Sequence, residues 1–175
     1  MNFNKITPEL ADAMASIVGR EYVVLSADAE AMDRYTHDET EDLRYLPEVV
    51  LKPKNAEEIS RIMRLCHENT IPVTPRGSGT GLSGGALAVH GGVVLSMERL
   101  NAILSIDERN LQATVEPGVI TQVFQEAVIA RGLFYPPDPS SRGSCQLGGN
   151  LSESSGGPRA VKYGVTKDYV LNVEV

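Results

Sequence analysis

Eleven residues, Pro75-Arg76-Gly77-Ser78-Gly79-Thr80-Gly81-Leu82-Ser83-Gly84-Gly85, carry five glycines and follow directly on the apolar run Ile71-Pro72-Val73-Thr74. Glycine lets the backbone approach a ligand closely and take positive φ, so successive N–H groups can converge on a phosphate as an anion-binding nest. Ser78, Thr80 and Ser83 add hydroxyl donors. Glycine runs also serve as flexible surface loops, and composition alone leaves that alternative open.

Two nucleotide-binding motifs compete for the same residues. Gly79-Thr80-Gly81-Leu82-Ser83-Gly84 matches G-x-G-x-x-G, and Glu98 stands roughly where a ribose-binding acid would. A dinucleotide fold of that kind needs a crossover helix between the loop and the next strand. Only eight residues, Gly85 to Gly92, separate Gly84 from Val93, and two of the last three are glycine, so no such helix fits. A P-loop needs Lys-Ser/Thr after its last glycine, and here Gly85-Ala86 follows Gly84. The loop is therefore expected to be a phosphate cradle of another kind.

Little else in the chain has the residue types for independent chemistry. The 16 basic and 23 acidic residues give a net charge of −7, a poor footprint for nucleic acid or an anionic membrane. Low aromatic content, 5% without tryptophan, argues against a base-stacking or sugar-binding surface. Cys66 and Cys145 lie far apart and outside any C-x-x-C pair, so neither a metal site nor a disulfide is expected. His37 and His90 read as surface residues, and His67, late in its helix, as a charge complement to the helix C-terminus. The N-terminus lacks an apolar signal core, and no stretch approaches the ~18 apolar residues of a membrane span. A cytoplasmic protein without a transmembrane segment is expected.

The loop must be held by neighbouring elements, and their signals are local. Thr7-Pro8-Glu9 starts a helix over 8–18 that Gly19 stops. Residues 28–46 read as a short helix and then a polar loop. Glu48–Pro53 is a strand, and Asn55 with Glu58 opens a capped helix whose apolar face is Ile59, Ile62, Met63 and Cys66. With Ile71–Thr74 as the next strand, this makes a β-α-β unit. Val93–Ser96, Ile103–Ile106 and Gln112–Glu116 follow as strands, the last ending at Pro117-Gly118. Thr121 is expected to cap a helix running to Arg131, closed by Gly132. A rigid proline loop spans 136–140, and a second glycine-rich stretch spans 147–158. Tyr169–Val175 looks like the beginning of a strand in which the sequence stops, as in a piece of a longer protein. There is no internal repeat.

Several motifs stand in one order: Pro75 to Gly85, then Val115-Glu116-Pro117-Gly118-Val119, Tyr135-Pro136-Pro137-Asp138-Pro139-Ser140, Gly148-Gly149-Asn150, Ser155-Gly156-Gly157 and Lys162-Tyr163-Gly164. In this order and spacing, over roughly residues 35 to 175, the chain resembles the vanillyl-alcohol-oxidase (PCMH) type of FAD-binding domain. Within it, the resemblance is to the branch of glycolate oxidase catalytic subunits and D-lactate dehydrogenases. The resemblance implies an α+β fold: an N-terminal helical segment over 1–46, a small β-α-β FAD-binding subdomain over 47–107, and the beginning of a second α+β subdomain over 108–175. It implies that two such subdomains sandwich FAD, with pyrophosphate contacts from Arg76, Gly77, Ser78, Gly79, Thr80, Gly81, Leu82, Ser83 and Gly84. Further contacts are implied at Pro137, Asp138, Ser140, Gly148, Gly149, Asn150, Ser154, Gly156, Gly157, Tyr163 and Gly164. For Pro117-Gly118, both an ordinary turn after a strand and a cofactor contact are open.

Some relatives of this type attach FAD covalently through a histidine in or near the first loop. No histidine lies between Arg76 and Gly85, so FAD is expected to be non-covalent. Where many members carry a Thr-Asn-Ala-type run, this chain has Leu151-Ser152-Glu153-Ser154-Ser155, and Glu153 is expected to face away from the diphosphate. The activity implied is oxidation of a small 2-hydroxy acid to the 2-keto acid. In that reaction a hydride equivalent would pass from the substrate Cα to flavin N5, and the electrons would then leave to an electron-transfer protein, an iron-sulfur subunit or a quinone. The substrate clamp, any metal ligands and the catalytic base belong to a cap domain in that family, so none is assigned here, and 1–175 alone is expected neither to turn over nor to hold FAD tightly. The alternatives are a non-catalytic FAD-binding subunit of a multi-subunit glycolate oxidase and an NADPH-using cell-wall reductase. The unbroken Pro-Pro-Asp-Pro-Ser and Lys-Tyr-Gly-Val-Thr runs favour the hydroxy-acid branch over the reductase.

Overall fold

A computed structural model describes residues 2–174, and its contacts divide the chain into two units, 1–100 and 101–175. A boundary at 107–108 would cut a hairpin whose two strands pair only with each other, and residues 1–46 belong to the first unit.

In the first unit, α1 spans Pro8–Val18, with the Thr7 hydroxyl accepting from the Leu10 amide and Gly19 ending the helix, as the sequence predicts. A short strand, β1 (Val23–Leu25), follows and was not anticipated; three residues are too few to show a period. After α2 (Ala29–Asp33) come β2 (Val49–Leu51), α3 (Ala56–Glu68), β3 (Val73–Arg76) and β4 (Val93–Ser96). The sheet order is β1-β2-β4-β3; β1 is antiparallel to β2, while β2 and β3 are both parallel to β4. The expected β-α-β crossover therefore exists, but its strands are not neighbours. β4 fills the gap between them, reached from β3 without any helix.

Every residue of β2 and β4 is buried, as expected of parallel strands covered on both faces. Side chains alternate between faces. Val49, Leu51, Val93 and Leu95 pack with Met14 and Val18 of α1 and Ile62 and Cys66 of α3. Val50 and Val94 pack on the opposite side with Met32, Tyr35 and Ala88. The face of α3 differs by one residue from the expected stripe: Met63 is 45% exposed, and Leu65 packs on the core instead. At its N-terminus Asn55 Oδ1 accepts from the Glu58 amide, but the Glu58 carboxylate takes the Lys54 amide rather than that of Asn55. β3 begins two residues later than expected and runs on to Arg76, which makes Arg76 a strand residue and not the first residue of the loop.

In the second unit, β5 (Ile103–Asp107) and β6 (Gln112–Val115) form an antiparallel pair with an irregularity between Ile103 and Ser105. Then come α4 (Thr121–Ile129), α5 (Leu147–Glu153) and α6 (Ala160–Tyr163). Val119, Phe124, Val128 and Leu147 form its core, with Ile103, Ile106, Val115, Leu133 and Tyr135 packed around it. The N-cap of α4 is Ile120 and not Thr121. Thr121 lies one residue inside the helix, fully buried, and its hydroxyl donates to the Cys145 carbonyl while accepting from Asn150. The expected strand over 169–175 does not form among the described residues: Thr166–Tyr169 is a 3-10 turn and 170–174 pairs with no strand, Val175 lying outside the described residues. A strand without a neighbour leaves its backbone groups unpaired, so apolar alternation alone is not sufficient.

Candidate functional site

The glycine loop leaves the carboxyl end of β3 and returns to the amino end of β4. Between Gly77 and Leu82, six consecutive amides donate to no protein acceptor among the described residues. Four of these residues are half-buried, while Ser78 and Leu82 are exposed, so the donors are accessible and unspent. Gly79 has φ +72°, and a Cβ there would run into the Arg76 guanidinium, so only glycine fits. Donors of this kind, with the hydroxyls of Ser78 and Thr80 beside them, suit a phosphate or diphosphate.

What fixes this loop is the segment upstream of β2. The Glu39 amide donates to the Gly81 carbonyl (3.1 Å), and the Gly84 amide donates to Thr40 Oγ1 (2.9 Å). Gly84 is therefore not a free donor, contrary to the expectation that amides through Gly84 face the cofactor. Arg76 is 4% exposed, and its guanidinium turns inward. It donates to the Arg34 carbonyl (2.8 Å), the His37 carbonyl (2.6 Å) and the Ala86 carbonyl (3.2 Å). Burial lowers its pKa, with the Asp38 carboxylate nearby opposing the shift. Asp38 is itself buried: one oxygen accepts from the Thr40 amide (2.9 Å) and the other has no hydrogen-bond partner among the described residues. The Arg76 side chain is thus a strut inside the protein rather than a hand toward a ligand.

Glu98, weighed from sequence as a ribose acid, is committed elsewhere. Its carboxylate accepts from the Tyr35 hydroxyl (2.5 Å) and the Ser96 hydroxyl (3.0 Å), and pairs with Lys52 (3.1 Å) and Arg34 (3.2 Å). Burial opposes its ionisation, but Tyr35, Lys52 and Arg34 outweigh that and hold the carboxyl below its ordinary range. This network anchors Arg34 and Tyr35 from the far side. No local sequence signal could have shown it, because apart from Ser96 the partners lie more than forty residues from Glu98, Arg34 and Tyr35 after α2 and Lys52 after β2.

In the second unit the expected contacts fall into two groups. Pro137, Asp138 and Asn150 are buried and already engaged: Gln125 donates to the Pro137 carbonyl (2.8 Å), Asp138 accepts from the Arg159 amide (3.1 Å) and pairs with its side chain (3.3 Å), and Asn150 donates to Thr121 (2.6 Å). Ser140, Gly149 and Tyr163 are exposed, while Gly148, Ser154, Gly156, Gly157 and Gly164 are half-buried. The first half of the second glycine-rich stretch is the helix α5. A Cβ on Gly148 would collide with Pro117, and one on Gly157 with the Asp138 backbone, so these glycines mark close packing. Ser154 stands apart. It is left-handed (φ 49°, ψ 49°) without being glycine, and its hydroxyl is buried with no partner among the described residues. Strain and an unspent polar group at one residue are features that ligand sites retain.

His90 is exposed against the Phe3 ring (5.2 Å between centroids) and His67 lies in the last turn of α3, where the sequence places them, whereas His37, expected at the surface, does not follow its reading. His37 is half-buried, with Nδ1 3.1 Å from Arg44. No group of three metal-binding side chains occurs among the described residues, and no helix there is long and apolar enough to cross a membrane.

Residues 47–175 match the FAD binding domain family. The chain is 52% identical over 141 residues to the glycolate oxidase subunit GlcD of Bacillus subtilis, covering 81% of this chain and 30% of that protein. It is 40% identical over 169 residues to the D-lactate dehydrogenase of Anaerostipes hadrus, covering 96% of this chain and 35% of that protein. It spans about a third of the length of these relatives. Its fold matches that of an alkyldihydroxyacetonephosphate synthase with a TM-score of 0.83 at 23% identity, over 96% of this chain and 32% of that one.

Proposed function

This chain belongs to the FAD binding domain family, and from that premise we propose that it is the FAD-holding part of a flavoprotein that oxidises a small 2-hydroxy acid to the 2-keto acid. The observation that carries the binding part is the run of six unspent amides from Gly77 to Leu82. A diphosphate brings acceptor oxygens and negative charge, and a nest of amides satisfies both without a lysine. Ser78 and Thr80 add hydroxyl donors. Arg76 and Gly84 act from behind the loop and not on the ligand. In the second unit, Ser140, Gly149, Ser154, Tyr163 and Gly164 are the proposed cofactor contacts, and Pro137, Asp138, Asn150, Gly148, Gly156 and Gly157 shape the backbone around them.

The cofactor, when bound, supplies the two-electron acceptor that no amino-acid side chain offers. The residues of this chain hold and orient it, and without a histidine between Arg76 and Gly85 they do so non-covalently. The hydroxy-acid reading rests on the identities with a glycolate oxidase subunit and a D-lactate dehydrogenase. Electrons would leave to a protein or quinone acceptor, and the setting would be cytoplasmic. The test is the full-length protein: it should carry about one FAD, released by acid denaturation, and should reduce a dye with glycolate, D-lactate or D-2-hydroxyglutarate. Protein without flavin absorption that takes up no added FAD would sink the reading.

A further inference from the structure

The family match begins at residue 47, yet two hydrogen bonds that hold the outer half of the glycine loop, at Gly81 and at Gly84, come from residues before it. We propose that Arg34 to Thr40 form a positioning clamp for the loop, with Thr40 as its central residue. The proposal rests on the reading that the loop binds a diphosphate.

The clamp has three holds. Glu39 donates to the Gly81 carbonyl, Thr40 Oγ1 accepts from the Gly84 amide, and the carbonyls of Arg34 and His37 take the Arg76 guanidinium at the inner end. Asp38 sets Thr40 by accepting its amide at 2.9 Å. The clamp is anchored in turn: the Tyr35 hydroxyl and the Arg34 guanidinium both end on Glu98, at the carboxyl end of β4. Tyr35 is also part of the apolar core with Val50 and Val94.

A chain so rich in glycine loses more conformational freedom on ordering than any other sequence would. If the loop were ordered only when the ligand arrived, that loss would be subtracted from affinity. Holding Gly81 and Gly84 in the folded protein moves the loss to folding and leaves residues 77–82 aligned in advance. It also fixes which amides face outward, because the Gly84 amide is spent on Thr40 and those of 77–82 are not.

The clamp is tested in the full-length protein with Thr40→Val, which keeps the shape and removes the acceptor, and Thr40→Ser, which restores it. Two readouts are needed: the FAD dissociation constant, and amide hydrogen exchange over 77–84 in the flavin-free protein. T40V is expected to weaken FAD about fivefold to tenfold, the ratio that one ordinary hydrogen bond commands. It should also speed exchange at the Gly84 amide, which loses its acceptor, while T40S stays near wild type in both. Equal affinity and equal exchange in T40V and wild type would overturn the clamp, as would a T40S that behaves like T40V. Should T40V fail to fold, wild type still decides: Gly84 must exchange more slowly than Gly79 and Gly81, and equal rates refute the proposal. If wild type binds no FAD, the diphosphate reading fails, and the exchange data still report on the clamp.

Discussion

The two glycine-rich stretches look alike as sequence and differ in physical cause. In the first unit, the glycines at 77–81 keep backbone donors open, and Gly79 turns through a conformation other residues rarely take. In the second, Gly148 and Gly157 are glycine because a neighbouring backbone or proline ring occupies the space a Cβ would need. Nor are the two supported alike. The first loop is tied by Arg76, Glu39 and Thr40 to a segment that ends on half-buried Glu98. The second is held by tight packing around Asp138 and by the Thr121–Asn150 hydrogen bond. Glycine density therefore signals close backbone approach, and only the hydrogen-bond inventory tells whether the approaching group is a ligand or the protein itself.

Changes of residue at these positions separate the two cases. Arg76→Met should have the largest effect, because it takes the donor from the Arg34, His37 and Ala86 carbonyls in partly buried hydrogen bonds. We expect a loss of about 3 kcal/mol in denaturant unfolding, together with weaker FAD binding. A neutral result would mean that the loop does not depend on this strut. Gly157→Ala comes next, at about 2 kcal/mol, since its methyl overlaps the Asp138 backbone. Its loss should appear as stability even without flavin; an effect on FAD alone would erase the contrast between the stretches.

Smaller again is the pH response of the first unit. The Glu98 carboxyl lies below its ordinary range in the folded protein, so the stability it adds is present above about pH 4.3, the unfolded value, and is lost as pH falls through the folded value. Glu98→Gln should flatten the acid limb of the stability curve, measured by thermal unfolding between about pH 3 and 6. An unchanged limb would show that the network carries no linkage. Smallest is Gly81→Ala, where nothing lies within 4 Å of the added methyl. It should change stability by less than about 0.5 kcal/mol, as an ordinary surface substitution does.

Much of this was legible in the chain itself, wherever the cause is local. The caps of α1 and α3 were, and so was the absence of a helix between Gly84 and Val93, which removed the dinucleotide-fold reading. The insertion of β4 between β2 and β3 was not, because pairing partners are chosen across the sheet and leave no mark on a single strand. Arg76 was given as a pyrophosphate contact by the resemblance alone. Only the carbonyls of residues 34, 37 and 86 show where the guanidinium goes. The glycine-rich stretch at 147–158 carried no helix signal, yet a helix accommodates Gly148 and Gly149, with Pro117 packed against the bare Cα of Gly148.

The central claim is that the amides from Gly77 to Leu82 hold the diphosphate of FAD. Amide hydrogen exchange of the full-length protein with and without FAD tests it most directly. The account predicts that exchange over 77–82 is fast in the flavin-free protein, slows at least tenfold on binding, and that Gly84 changes little because it is already paired. Slow exchange at 77–82 in both states, or protection by FAD that leaves this run untouched, would contradict it.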